Sequence, residues 1–147
     1  MSVEPNLIEA GVAVDDRGEL VFANGFPLAD YKRFYFIKNH EPQFVRAWHG
    51  HKKEGKAILV IEGAAVVGAV QINDWDSPDP LAKVHRVVLT SKKPMVYCIP
   101  PGYANGIMTL TAGAVVGVFS SSTLEESVGD DFRFPARFWD IWSVEER

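Results

Sequence analysis

Two histidines and a lysine stand close together in RAWHGHKKEGKAILVIEG, the stretch from Arg46 to Gly63. His49 and His51 are separated by one residue, so on an extended strand both side chains leave the same face. An imidazole takes and returns protons near neutral pH. The Lys56 ammonium can donate to an oxygen on which negative charge develops. Together these groups suit proton abstraction beside a carbonyl: a histidine removes hydrogen from carbon and the lysine stabilises the enolate. The competing chemistry is metal binding, because an H-x-H pair followed by a glutamate is a common ligand set. Here Lys56 holds the glutamate's place, seven residues before Gly63. A protonated lysine repels a divalent cation and two histidines alone hold one weakly, so neither a metal nor another cofactor is expected. A purely structural reading also stands, with the histidines as polar residues at a strand end and Lys56 solvated.

The frame that must position these groups reads as all-β. GELVFA, RFYFIKN, FVRAWH, KAILVIEGAAVVGAVQI, KVHRVVLT, MVYCIP, IMTLT and AVVGVFS are short runs rich in Val, Ile, Phe and Tyr. Turn chemistry separates them in DDRG, NHEPQ, NDWDSPDP, TSKKP, PPGYANG and TAG. No long segment keeps a helical period, and the aromatic C-terminal stretch from Leu124 onward reads as a tail packed on the sheets, with room for one helical turn. Strands at this spacing predict a sandwich or barrel, and a jelly roll of one domain over residues 1–147 fits the length. Alternation sends Trp48 to the face opposite His49.

Composition narrows the class. A formal net charge of −4 and a pI near 5.5 offer no bulk field for nucleic acid or an anionic membrane. Cys98 is the only cysteine, so no intrachain disulfide forms. MSVEPNLIEAG lacks the basic start and apolar core of a signal peptide, and the apolar runs are too interrupted for a membrane span. A reducing cytoplasm is the expected compartment.

The chain resembles the dTDP-4-dehydrorhamnose 3,5-epimerase family of cupin-fold nucleotide-sugar enzymes. Three blocks carry the resemblance in order: Asp15-Asp16-Arg17-Gly18, Arg46-Ala47-Trp48-His49 with Lys56 through Gly63, and Ile99-Pro100-Pro101-Gly102-Tyr103-Ala104-Asn105-Gly106. It spans about residues 12 to 143. The resemblance implies a cupin-type double-stranded β-helix, His49 as the base beside a 4-keto group, and Lys56 as stabiliser of the enolate oxygen. It implies that Arg46 and Arg17 hold the diphosphate, as guanidinium forks suit, with Arg17 acting partly across a homodimer. Arg33 is a further substrate-binding candidate. Asn105 stands where metal-binding cupins place a last histidine and is a candidate neutral donor. Tyr103 is a candidate acid or sugar ligand, with a packing aromatic as the alternative.

Two departures bear on the reaction. The tyrosine that the 3,5-epimerases use as opposite-face acid is missing from Phe119-Ser120-Ser121-Ser122-Thr123-Leu124, and the aspartate partner of the histidine is missing near Arg133-Phe134-Pro135-Ala136. Asp130, Asp131 and Asp140 are the candidate replacements. Arg46, His49, His51 and Lys52 also resemble the R-x-x-H-x-H-K of dTDP-4-keto-6-deoxyglucose 3,4-ketoisomerases. On the sequence, epimerisation at C3 leads, a 3,4-ketoisomerase follows, and a non-catalytic sugar-nucleotide-binding cupin is the rival from another class.

Overall fold

The structure, a computed structural model, describes residues 3–147; residues 1–2, at the start of the stretch read above as no signal peptide, lie outside it. Two five-stranded sheets face each other. The first runs β1 (Asn6–Glu9), β9 (Met95–Ile99), β6 (Lys56–Glu62), β11 (Val115–Ser120) and β4 (Arg33–Ile37) in spatial order. The second runs β12 (Phe132–Arg133), β5 (Val45–His51), β10 (Tyr103–Thr109), β7 (Ala64–Gln71) and β8 (Val84–Thr90). Every pairing is antiparallel, as in the jelly-roll architecture that the strand spacing predicts. A separate hairpin joins β2 (Gly11–Asp15) to β3 (Gly18–Phe22), and the one α-helix among the described residues is the short α1 (Leu124–Ser127). No helix among them is long and apolar enough to cross a membrane.

Period-two alternation decides what each strand contributes. On β6, Ile58 and Val60 point between the sheets to meet Val116 and Val118 of β11 and Val67 and Ile107 of the second sheet. Ala57 and Leu59 point outward, toward Phe26, Tyr31 and Phe119. The strand β7 is buried on both faces: Ala65, Val67 and Ala69 inward, Val66 and Val70 outward beneath Trp48, Trp139 and Trp142. That double burial is why it reads as one apolar run rather than an alternation. The C-terminal tail therefore packs on the outer face of the second sheet, as its aromatics suggest.

One expected turn is shorter than the sequence implies. PPGYANG reads as turn throughout, yet the turn ends at Gly102 (φ 89°) and Tyr103 already belongs to β10. Both neighbours, β5 and β7, hydrogen-bond this strand, and pairing on two sides overrides its turn-like composition.

The strand β5 carries an irregularity that matters for the site. Asn105 pairs with His49 and Ile107 with Arg46, so Ala47 and Trp48 together oppose Gly106. This bulge adds one residue, and both Ala47 and Trp48 turn to the outer face. A Cβ on Gly106 would lie 2.6 Å from the Ala47 Cβ and 2.8 Å from the Trp142 ring, so only glycine fits opposite the bulge. The Ala47–Trp48 peptide bond is cis.

Candidate active site

Between the two sheets lies a cavity of about 750 Å³. Its walls follow from the alternation just described. The inward residues of β5 are Arg46, His49 and His51, with Arg46 brought onto the same wall by the bulge. The facing sheet presents Arg33 and Tyr35 from β4 and Lys56 from β6. Asn105 of β10 completes the wall beside the histidines, its amide donating to the His49 carbonyl at 3.2 Å.

His49 is the free base of the group. Burial pushes its imidazole down to about 4, the charge of Arg133 adds to the fall, and Asp131 opposes it. At neutral pH the ring is uncharged and keeps a lone pair available, the state a general base requires. Asp131 stands near the expected aspartate's place and lines the cavity. Its carboxyl is held below the usual range by the hydrogen bond from Arg133, whose Nη2 is 2.9 Å from Oδ2. Asp140 is occupied elsewhere: it pairs with Arg137 and accepts from the Trp142 backbone N–H at the surface.

The residue that the sequence does not single out is Glu54. Its side chain is fully buried, and Oε1 accepts from the hydroxyls of Ser120 at 2.6 Å and Ser127 at 2.7 Å and from Arg33 Nη2 at 3.1 Å. Its other oxygen faces Lys56 Nζ at 3.2 Å and His51 Nε2 at 3.3 Å. Burial alone would raise this carboxyl, but the two hydroxyls and the neighbouring charges hold it at about 2. In HKKEGK nothing distinguishes it from a solvated loop charge. The segment is shaped instead by Asp130, whose carboxylate accepts from the backbone N–H groups of Lys52, Lys53 and Glu54 at 2.7–3.0 Å. A capping box between Thr123 and Glu126 starts α1 and so aims Ser127 at Glu54.

Lys56 also donates to the Tyr35 hydroxyl at 2.7 Å. An ammonium has three N–H groups, so with Glu54 and Tyr35 served, one remains for a ligand in the cavity. Arg46 is braced through Nε, which donates to Asn39 Oδ1 at 2.7 Å. Five cationic side chains line the cavity (Arg33, Lys38, Arg46, Lys56 and Arg133) against two carboxylates, Glu54 and Asp131. A positive cleft in a chain of net charge −4 concentrates anionic ligands there. Among the described residues no three His, Cys, Asp or Glu side chains converge as a metal-ligand group.

The structure does not bring all the candidates together. Tyr103 packs in the core, edge-on to His85, and lines a separate cavity of about 460 Å³. Arg17 lies in the β2–β3 turn with its side chain 87% exposed, paired to Asp15.

The family model described as FdtA: WxcM-like, C-terminal matches residues 4–139. No curated protein matches the chain. Among solved structures, the QdtA 3,4-ketoisomerase from Thermoanaerobacterium thermosaccharolyticum, in complex with TDP, is 23% identical at a TM-score of 0.69. That match covers 94% of this chain and 93% of that one. A dTDP sugar isomerase from Desulfovibrio desulfuricans G20 is 17% identical at a TM-score of 0.76, covering 97% and 92%. The rmlC epimerase of Mycobacterium tuberculosis is 16% identical at 0.78, covering 95% of this chain and 74% of that one. At these identities the likeness establishes a shared cupin-like fold.

Proposed function

The chain belongs to the WxcM-like, C-terminal family (FdtA), and on that footing we propose that it is a nucleotide-sugar isomerase acting on a 4-keto-6-deoxyhexose. The observation that carries the proposal is an uncharged His49 facing the Lys56 ammonium across a positively lined cavity. His49 removes the C3 proton, and Lys56 donates to O4 as the enediol forms. Arg46, Arg33 and Arg133 hold the diphosphate. No cofactor is needed, because the electrons never leave the substrate.

The second half of the reaction separates two readings. In 3,4-ketoisomerisation the O3 proton passes to O4, C4 gains the proton that left C3 on the face of the histidines, and the carbonyl moves to C3. A base on one wall serves both carbons, and the 3,4-ketoisomerases among the solved relatives match this chain along nearly their whole length. The second reading, C3 epimerisation, leads on the sequence, and Tyr35 supports it: its hydroxyl stands on the wall facing His49, where an opposite-face acid would be required. Proton NMR of dTDP-4-keto-6-deoxyglucose in deuterated water separates them. The expected result is deuterium at C4 with the keto group at C3. A C3 epimer with its keto group still at C4 would select the second reading, and no exchange at either carbon would end both.

The working unit proposed is a cytoplasmic homodimer. Phe34 and Phe36 on the outer face of β4 are 64% and 55% exposed, and Val14, Leu20 and Val21 of the hairpin are exposed as well. A second copy would cover this apolar surface and take Arg17 toward its own cavity. Light scattering is expected to give twice the 16.3 kDa chain mass; a monomer at working concentrations would remove Arg17 from the site.

A further inference from the structure

The buried group around Glu54 holds a mismatch that only a proton resolves. His51 Nδ1 is 2.6 Å from the Asp130 carbonyl oxygen. A carbonyl only accepts, so Nδ1 carries a hydrogen. In a neutral ring Nε2 is then a lone pair, and it faces the Glu54 Oε2 at 3.3 Å. Two acceptors would confront each other, Nε2 with no hydrogen-bond partner among the described residues and Oε2 held only by its ion pair with Lys56 at 3.2 Å, and His51 is only 6% exposed. A proton on Nε2 turns that repulsion into an ion pair.

We propose that Glu54 is a positioning residue that holds His51 as an imidazolium, bound at both nitrogens, and leaves His49 as the one histidine that carries protons. The inference rests on the isomerase reading above and gives its two histidines unequal work. The surroundings weigh both ways. Glu54, from the β5–β6 loop, and Asp131, from the segment before β12, favour the charge. Lys56 on β6 and Arg33 on β4 oppose it, but both are bound to Glu54, and His49 on the same strand is uncharged at neutral pH. The same carboxylate thereby ties β5 on one wall to Lys56 and Arg33 on the other. In this arrangement both His51 nitrogens are engaged by Asp130 and Glu54, and one base on one face moves the proton between C3 and C4.

The test joins nitrogen NMR of the histidine rings with kinetics, on the full chain. Near neutral pH, wild-type His51 should show two protonated ring nitrogens and His49 a neutral ring. In Glu54→Gln, which keeps the shape of the side chain and loses its charge, His51 should become neutral with its hydrogen on Nδ1. Turnover should fall by about 10²-fold, and Glu54→Asp should recover part of it. A neutral His51 in the wild type would overturn the proposal without any assay. So would a charged His51 in Glu54→Gln, or a variant as fast as the wild type. Expected ring signals in a wild type that turns over no nucleotide sugar would leave Glu54's hold on His51 intact and sink the isomerase reading instead.

Discussion

Replacing His49 with asparagine should cut kcat by about 10²–10⁴-fold, the range lost with a general base. That is about 3–5 kcal/mol of barrier at 1.36 kcal/mol for each tenfold step. Asparagine keeps the polarity of the site and cannot take a proton, so TDP affinity, measured by calorimetry, should change little. The rate profile with pH supplies the diagnostic. Wild-type kcat/KM should rise with pH through about 4, where His49 loses its proton, and then stay level through the ordinary histidine range near ~6.5. The direction follows from the role: below that pH the imidazole is already protonated and accepts nothing. The limb should vanish in the variant. A loss of less than about tenfold would place the base elsewhere, far below what removing a general base costs.

The largest effect on stability is expected at Trp48. Its side chain is fully buried, edge-on to Trp139 at 5.6 Å and tilted on Trp142 at 5.2 Å between ring centroids. Trp48→Ala should cost about 3–5 kcal/mol, the usual loss for a buried tryptophan. With roughly 2–4 °C for each kcal/mol in a chain of this size, thermal unfolding should fall by an amount easily measured. The tail that Trp48 anchors follows Asp130 and Asp131 directly, so the loss should also reach the site. A cost below about 1 kcal/mol would mean that the tail collapses into the gap, as some truncated cores do.

The strands most legible in the sequence are those whose two faces meet different surroundings. KAILVIE and AVVGVF contrast a buried and a less buried face, and the structure places them as β6 and β11. NLIE and GVAVD carry no such signal because their faces barely differ: both are largely exposed and form through pairing with β9 and β3. The site divides in the same way. His49, His51, Lys56 and Arg46 lie close in sequence, and strand parity brings them together. Glu54 escapes a sequence reading because its meaning comes from Arg33, Ser120 and Ser127, lying 21, 66 and 73 residues away. Tyr103 is drawn toward the site by a turn that proves to be strand, and its ring faces a different cavity.

The extra residue at Ala47–Trp48 makes β5 a strand with two independent addresses. Counting by twos from His51 reaches His49 and would then arrive at Ala47; the insertion resets the count so that Arg46 answers instead. On the reading proposed above, proton transfer thus falls to the odd positions after the reset and anion capture to Arg46 before it. A change in one half need not be copied into the other. A lineage in which this fold exchanges one sugar nucleotide for another can revise the anchoring half while the proton-moving half stays in frame. Deleting either residue of the bulge would restore plain alternation, with Arg46 two positions before His49 and still facing the cavity.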